Sequence, residues 1–121
     1  LSLERLFGWV FAPLVLLFGV PWQDAQVAGQ LMGTKAILNE FIAYQQMAEL
    51  APGALGSRTV VILTYAMCGF ANLGSIGLQI ATFATLAPGR RAEVAGLGLK
   101  AWLAGNLATG ATGAVAALVL A

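Results

Sequence analysis

Two long stretches without a charged residue constrain this chain more than any other feature. Thr59 to Leu86 covers 28 residues and Ala101 to Ala121 covers 21, and neither contains Asp, Glu, Lys or Arg. A membrane-spanning helix needs roughly 20 mostly apolar residues. Both stretches are therefore long enough to cross a bilayer.

The composition of the chain agrees with lipid as its solvent. Hydrophobic residues make up 60% of the 121 and charged residues only 9%, whereas a soluble domain carries about 25% charged residues. This apolar content excludes intrinsic disorder. A single cysteine, Cys68, excludes a disulfide scaffold, and the lack of histidine argues against zinc or catalytic-triad chemistry. A net charge of +1 gives no basis for binding nucleic acid.

The N-terminal apolar run, residues 6–23, predicts a helix that lies in the membrane interface or a short re-entrant piece, rather than a complete span. Pro13 interrupts this apolar run, and Trp9 and Trp22 stand near its two ends. Tryptophan is enriched at membrane interfaces. The chain begins without Met and ends inside an apolar run, so we expect it to be part of a longer protein.

Residues 23–51 predict a re-entrant hairpin. The segment favours helix but carries four charged residues, which argues against one simple lipid-facing span. Two helices, 23–38 and 41–51, would meet at Asn39 and Glu40. The tip of such a hairpin is tolerated only where protein buries it or where it lines a wet cavity.

The stretch 59–86 predicts a broken transmembrane helix. Its centre, residues 68–77, contains three glycines together with Asn72 and Ser75. Glycine is a poor helix former and marks breaks or close packing in membrane helices.

A further transmembrane helix is predicted over 101–121, where Gly105, Gly110 and Gly113 would allow close packing. The preceding residues, 87–100, are predicted to form a cytoplasmic loop, because they contain the basic cluster of the chain. The predicted fold class is therefore an all-α membrane protein with an interfacial helix, a re-entrant hairpin, a broken transmembrane helix and one further transmembrane helix.

Polar residues at membrane depth are candidates for function. Glu40 could accept hydrogen bonds from substrate hydroxyls or take part in proton movement; alternatively it caps a helix or pairs with Lys35. Asn72 and Ser75, three residues apart, could recognise a base or sugar edge, or form an interhelical hydrogen bond. Phe70 could stack on a flat ligand or simply pack.

Two motifs resemble concentrative nucleoside transporters. Residues 33–44 resemble the family's "G-x-K-x-x-x-NEF-x-AY" stretch, and residues 64–76 resemble its "A-x-CGFAN-x-x-SI" stretch. Residues 19–22 and 87–91 also fit the family. The resemblance covers nearly the whole chain in the expected order.

The resemblance implies a membrane symporter that moves nucleosides into the cell with a sodium or proton gradient, by alternating access. It implies a homotrimer in a bacterial inner membrane. It also implies that this chain is the C-terminal part of the transporter and that it begins with an interfacial helix at about residues 3–18. Glu40 and Asn72 would bind the ribose hydroxyls with Ser75, Phe70 would line the nucleoside site, and Asn39 would support Glu40.

The same resemblance implies that the first hairpin and first broken helix, which read the base and hold the ion, lie outside these residues. No metal ligand or cofactor site is therefore expected here. Two other classes stay open from the residues alone: a structural membrane subunit, and a transporter or channel for another solute. An enzyme is disfavoured because no nucleophile and base pair is present.

Overall fold

The structure is a computed structural model that describes residues 1–120. All regular structure within that range is helical, so the predicted all-α class is confirmed. The helices are α1 (Leu3–Leu17), α2 (Ala25–Ile37), α3 (Glu40–Ala48), α4 (Ser57–Ala66), α5 (Leu73–Leu86) and α6 (Arg91–Leu120), with short 3₁₀ turns at Trp22–Asp24 and Pro88–Arg90.

The buried core lies where α1, α2 and α4 meet the end of α6. Val15 and Met32 are completely buried there, as are Ile62 and Leu63 of α4. Ala117 of α6 belongs to the same cluster. In contrast, α5 has no buried residue among the residues described, although it is strongly apolar. The core therefore fixes α4 far more firmly than α5.

The connection between α2 and α3 consists of Leu38 and Asn39 only. The Asn39 side chain accepts a hydrogen bond from the backbone N–H of Ile42 at 2.9 Å, so Asn39 is the N-cap of α3. Glu40 is therefore the first residue of α3, rather than part of a non-helical tip as the sequence predicted. A capped helix start places its carboxylate at the positive end of the helix dipole.

The helix over 59–86 is interrupted at residues 67–72. The two helices on either side, α4 with ten residues and α5 with 14, are separated by this irregular segment. Asn72 ends the interruption, because its side chain accepts from the backbone N–H of Ser75 and caps α5. Each helix is too short to cross a bilayer alone, since ~20 residues are needed.

The prediction of a loop over 87–100 is wrong for most of its length. Helix α6 begins at Arg91, directly after the turn that Pro88 opens. Alanine and leucine in this stretch favour helix, and Arg90 forms an ion pair with Glu93 at 2.7 Å across the helix start. The change from charged to apolar residues at position 101 is therefore not a helix boundary.

One helical segment within residues 1–120, Pro88–Leu120, is long and apolar enough to span a membrane. Thirty helical residues extend about 45 Å, longer than the ~30 Å hydrocarbon core. The polar first third, with Arg91, Glu93 and Lys100, is the part suited to lie outside that core.

The glycines of α6 permit the close packing that the sequence predicted. A Cβ added at Gly110 would overlap the Phe18 ring, and one at Gly113 would lie 2.5 Å from the carbonyl oxygen of Ile62. At Gly105 it would lie 2.9 Å from the Cβ of Ala71. Because only hydrogen fits at these positions, the backbone of α6 contacts the backbone of α4 at Gly113. At Gly105 the helix passes close to the irregular segment 67–72.

Asp24 joins the start of α2 to the start of α4. It is only 8% exposed, and one carboxylate oxygen accepts hydrogen bonds from the backbone N–H of Gly56 and the hydroxyl of Thr59. These two donors belong to the N-terminal turn of α4, where a negative charge is stabilising.

We expect Asp24→Asn to lower the free energy of unfolding by about 1–3 kcal/mol, since hydrogen bonds to a charged acceptor are replaced by weaker ones. Melting of the purified full-length protein in detergent would measure this. Thr59→Val should cost less in the Asp24→Asn background than alone, because the two residues share a bond. Additive losses would contradict the role of Asp24 in holding α4.

Candidate functional site

Glu40 and Asn72, predicted from two separate motifs, lie side by side. The Asn72 side-chain Nδ2 donates to Glu40 Oε2 at 3.3 Å. Glu40 opens α3 and Asn72 caps α5, so the N-terminal ends of two helices converge at this point. Helix N-termini stabilise negative charge, and the Glu40 carboxylate occupies that position.

The hydrogen bonds of Asn72 leave one side-chain N–H available for a ligand. Its Oδ1 accepts from both the backbone N–H and the hydroxyl of Ser75, at 2.9 and 3.1 Å. Its Nδ2 carries two hydrogens, and Glu40 uses one. Asn72 therefore makes the interhelical bond that was its structural alternative, and it also caps α5. Within residues 1–120 it keeps one free N–H, although the residue is only 6% exposed.

Glu40 and Ser75 keep acceptor capacity. Among residues 1–120 the Oε1 atom of Glu40 has no hydrogen-bond donor, and the Ser75 hydroxyl donates but does not accept. A carboxylate has about four lone-pair sites. The cluster can thus accept from hydroxyl groups at Glu40 and donate to a hydroxyl oxygen from Asn72.

A groove of about 590 Å³ opens beside this cluster, between α5 and α6. Its walls are mostly apolar, and Asn72, Ser75 and Phe70 line one end, whereas the Arg90–Glu93 ion pair lies at the other. Phe70 is 77% exposed, so its ring is free to contact a ligand and does not pack in the core. Glu40 does not line the groove but borders it through Asn72.

Backbone groups freed by the interruption of the helix find side-chain partners. The Tyr44 hydroxyl of α3 donates to the carbonyl of Thr64, at 2.5 Å. The Asn106 side chain of α6 donates to the carbonyl of Ala71 at 3.0 Å. An unsatisfied carbonyl at membrane depth is costly, so these contacts allow the chain to remain irregular at residues 67–72.

Lys35 does not pair with Glu40 in this structure. The one ion pair within the described range is Arg90–Glu93. The ammonium of Lys35, completely buried, instead donates to Asn106 Oδ1 at 2.8 Å. Nearby, the Trp102 indole donates to the carbonyl of Ala36 at 2.9 Å, which satisfies one of the last carbonyls of α2.

Sequence reasoning missed Asn106 and Tyr44. Asn106 was detectable, because it is the one amide within the apolar stretch 101–121 and polar residues in such stretches carry interhelical bonds or function. Tyr44 gave no signal beyond its place in the family motif. Within residues 1–120 no group of three His, Cys, Asp or Glu side chains is arranged to hold a metal ion.

Comparison with known sequences decides the family. Residues 1–117 match the family described as "Na+ dependent nucleoside transporter C-terminus". The chain belongs to this family. Its relatives are transporters, and the expectation that the chain is not an enzyme is confirmed on that ground.

Relatives of this nucleoside transporter segment occur in bacteria and animals. It is 44% identical over 119 residues to the uncharacterized transporter YutK of Bacillus subtilis, covering 98% of this chain and 29% of YutK. It is 36% identical to the nucleoside permease NupC of Helicobacter pylori (99% and 30%) and 33% identical to human solute carrier family 28 member 3 (98% and 19%). The chain thus spans less than a third of the length of these relatives.

Solved structures of CNTnw share the fold. The inward-facing, substrate-bound structure is 42% identical and superposes with a TM-score of 0.91, covering 98% of this chain and 29% of CNTnw. A variant of CNTnw in an outward-facing state is 43% identical, with the same TM-score of 0.91 and the same coverage. The nucleoside transporter segment is thus equally similar to two opposite states of one transporter.

Proposed function

We propose that the complete protein carrying this segment is a sodium-coupled nucleoside symporter, and that the segment supplies the ribose-binding side of its substrate site. The observation that carries the proposal is the pairing of the Glu40 carboxylate with the Asn72 amide at two converging helix ends. The names of several relatives, among them nucleoside permeases, support the substrate class.

The chemistry of the pair suits a ribose. Each sugar hydroxyl can donate one hydrogen and accept another, so neighbouring hydroxyls match an acceptor placed beside a donor. Glu40 provides the acceptor, the second N–H of Asn72 provides the donor, and Ser75 offers a further acceptor. Bonds to the charged carboxylate are the stronger ones, each worth about 1.5–3 kcal/mol.

The base is proposed to lie against Phe70 in the groove. Phe70 is exposed beside Asn72, and the groove walls are apolar, as a flat aromatic base requires. A groove of about 590 Å³ falls within the ~300–1,000 Å³ typical of small-molecule sites. Asn39 supports the site indirectly, because its cap fixes where α3 begins.

Transport is proposed to occur by alternating access. The equal TM-scores against inward-facing and outward-facing CNTnw support movement of this segment as one unit relative to the rest of the transporter. Sodium is the proposed coupling ion, since the family is described as Na+ dependent, and we place its site in the remainder of the protein. In transporters built from inverted repeats, such ion sites use unwound backbone carbonyls.

The membrane arrangement is proposed from the charge pattern and the family. Arg90, Arg91 and Lys100 cluster at the start of α6, and this basic cluster supports a cytoplasmic position for that end of the helix in a bacterial inner membrane. Helices α2 and α3 form the re-entrant hairpin, α1 lies in the interface, and the complete protein is a homotrimer.

We expect nucleosides to raise the melting temperature of the purified full-length protein in sodium buffer, while the free base and ribose at equal concentration do not. Binding to the native state stabilises it by about 2.7 kcal/mol at 100 times Kd. Uridine and adenosine would be compared with uracil, adenine and ribose. A response to a free base or to ribose as large as that to the nucleoside would contradict the proposal, and no response to any would favour a structural subunit.

A further inference from the structure

We infer that Asn106 is a positioning residue for ribose recognition: it holds the hairpin and the interrupted helix in register, so that Glu40 meets Asn72. The inference rests on the proposed function, because it concerns the same pair of ligands. It assigns a role in substrate specificity to a polar cluster formed by Lys35, Asn106 and the carbonyl of Ala71.

The geometry places Asn106 between the two elements that carry the ligands. Its Oδ1 accepts from the Lys35 ammonium at 2.8 Å, five residues before Glu40 in the hairpin. Its Nδ2 donates to the carbonyl of Ala71 at 3.0 Å, one residue before Asn72. One side chain thus contacts the chain next to each partner of the Glu40–Asn72 pair.

The residues involved are buried, which makes their positions well defined. Lys35 is completely buried and Asn106 is only 2% exposed. Both Asn106 amide hydrogens are used, since Nδ2 also donates to the carbonyl of Trp102 within α6 at 2.9 Å. A buried amide with all its groups bonded cannot rotate without leaving a polar atom unpaired.

Neighbouring contacts hold α6 itself in place. Trp102, one turn earlier on α6, donates to the carbonyl of Ala36 in the hairpin. Gly105 allows α6 to approach Ala71, because a Cβ there would lie 2.9 Å from the Cβ of Ala71. Helix α6 is therefore held against both elements that carry the ligands, the hairpin at Ala36 and the interrupted helix at Ala71.

The test is Asn106→Asp in the full-length transporter. The carboxylate preserves the volume and still accepts from Lys35, but it cannot donate to Ala71 and repels that carbonyl. The readout is the ratio of uptake efficiency for uridine over 2′,3′-dideoxyuridine. We expect this ratio to fall about 3- to 10-fold, the size of one neutral hydrogen bond. A loss of folded protein would lower both rates and leave the ratio unchanged.

A second variant, Lys35→Met, keeps the unbranched apolar stem of the side chain and removes the ammonium that bonds Asn106. The same ratio should fall, by a smaller factor, because the bond from Asn106 to Ala71 remains. Thr112→Val is the control on α6, since within residues 1–120 the exposed Thr112 hydroxyl bonds only the carbonyl of Ala108 in its own helix. That variant should keep the wild-type ratio.

Glu40→Gln and Asn72→Ala separate the two levels of the hypothesis. If these variants lower the ratio while Asn106→Asp and Lys35→Met leave it at the wild-type value, the positioning role is wrong and ribose recognition stands. If Glu40→Gln and Asn72→Ala also leave the ratio unchanged, the proposed ribose site itself is wrong.

Discussion

Replacing Glu40 by Gln is expected to reduce nucleoside uptake efficiency by roughly 10- to 100-fold. Gln keeps the size of the side chain but replaces a charged acceptor with a neutral amide. A hydrogen bond to a charged group contributes about 1.5–3 kcal/mol, and each 1.4 kcal/mol corresponds to a factor of ten. The effect should appear mainly as a higher KM in uptake of labelled uridine by cells expressing the full-length transporter.

Glu49→Gln is the matched control for this experiment. Glu49 lies at the other end of α3, is exposed, and accepts a hydrogen bond from Gln45 within its own segment. The same chemical change there should leave uptake within about twofold of wild type, as expected for an exposed surface site. Equal KM values for Glu40→Gln and wild type would contradict the proposal that Glu40 binds the ribose hydroxyls.

The largest expected effect on stability comes from Gly113→Leu. A Cβ at this position would lie 2.5 Å from the Ile62 carbonyl and 3.1 Å from the Cβ of Ala66, and neither is the movable end of a side chain. Helices α4 and α6 must separate to admit the new side chain. We expect a loss of about 3 kcal/mol in the free energy of unfolding, at the upper end for overpacked sites, measured as melting in detergent.

Gly96→Leu tests the same substitution on the same helix without the contact. No atom of the described residues lies within 4 Å of a Cβ added at Gly96. Leucine is a better helix former than glycine, so this variant should gain up to about 1 kcal/mol. If both variants destabilise equally, the cost reflects leucine in α6 generally, and the packing explanation for Gly113 is wrong.

The helices were largely predictable because their signals are local. The predicted junction at Asn39 and Glu40 and the glycine-rich centre at 68–77 each act within a few residues, and the structure has a break between two helices at both places. The start of α6 was not predictable from the same reasoning. The charged residues between 90 and 100 end the apolar stretch, but a helix continues through charged residues when the segment favours helix.

In the candidate site, the ligand residues were predictable from the sequence and the bonds that support them were not. Glu40, Asn72, Ser75 and Phe70 came from motifs, and the family resemblance gave their roles. The supporting bonds came only from the structure, because Lys35 and Asn106 are 71 positions apart in the chain. Sequence periodicity does not show which buried donor bonds which carbonyl that the helix break leaves free. Such pairs can be identified only when the packing of the helices is known.

Under the proposed alternating access, the equal likeness of this segment to inward-facing and outward-facing CNTnw has a consequence for the free-energy difference between the two orientations. An interaction that is the same in two conformations stabilises both equally and cannot change their populations. Contacts inside the segment, such as Asp24 with Thr59 or Gly113 with Ile62, would then determine the amount of folded transporter. They would not change the ratio of inward-facing to outward-facing protein. The ratio of the two orientations would instead depend on the contacts between this segment and the remainder of the transporter, because those contacts differ between the two states.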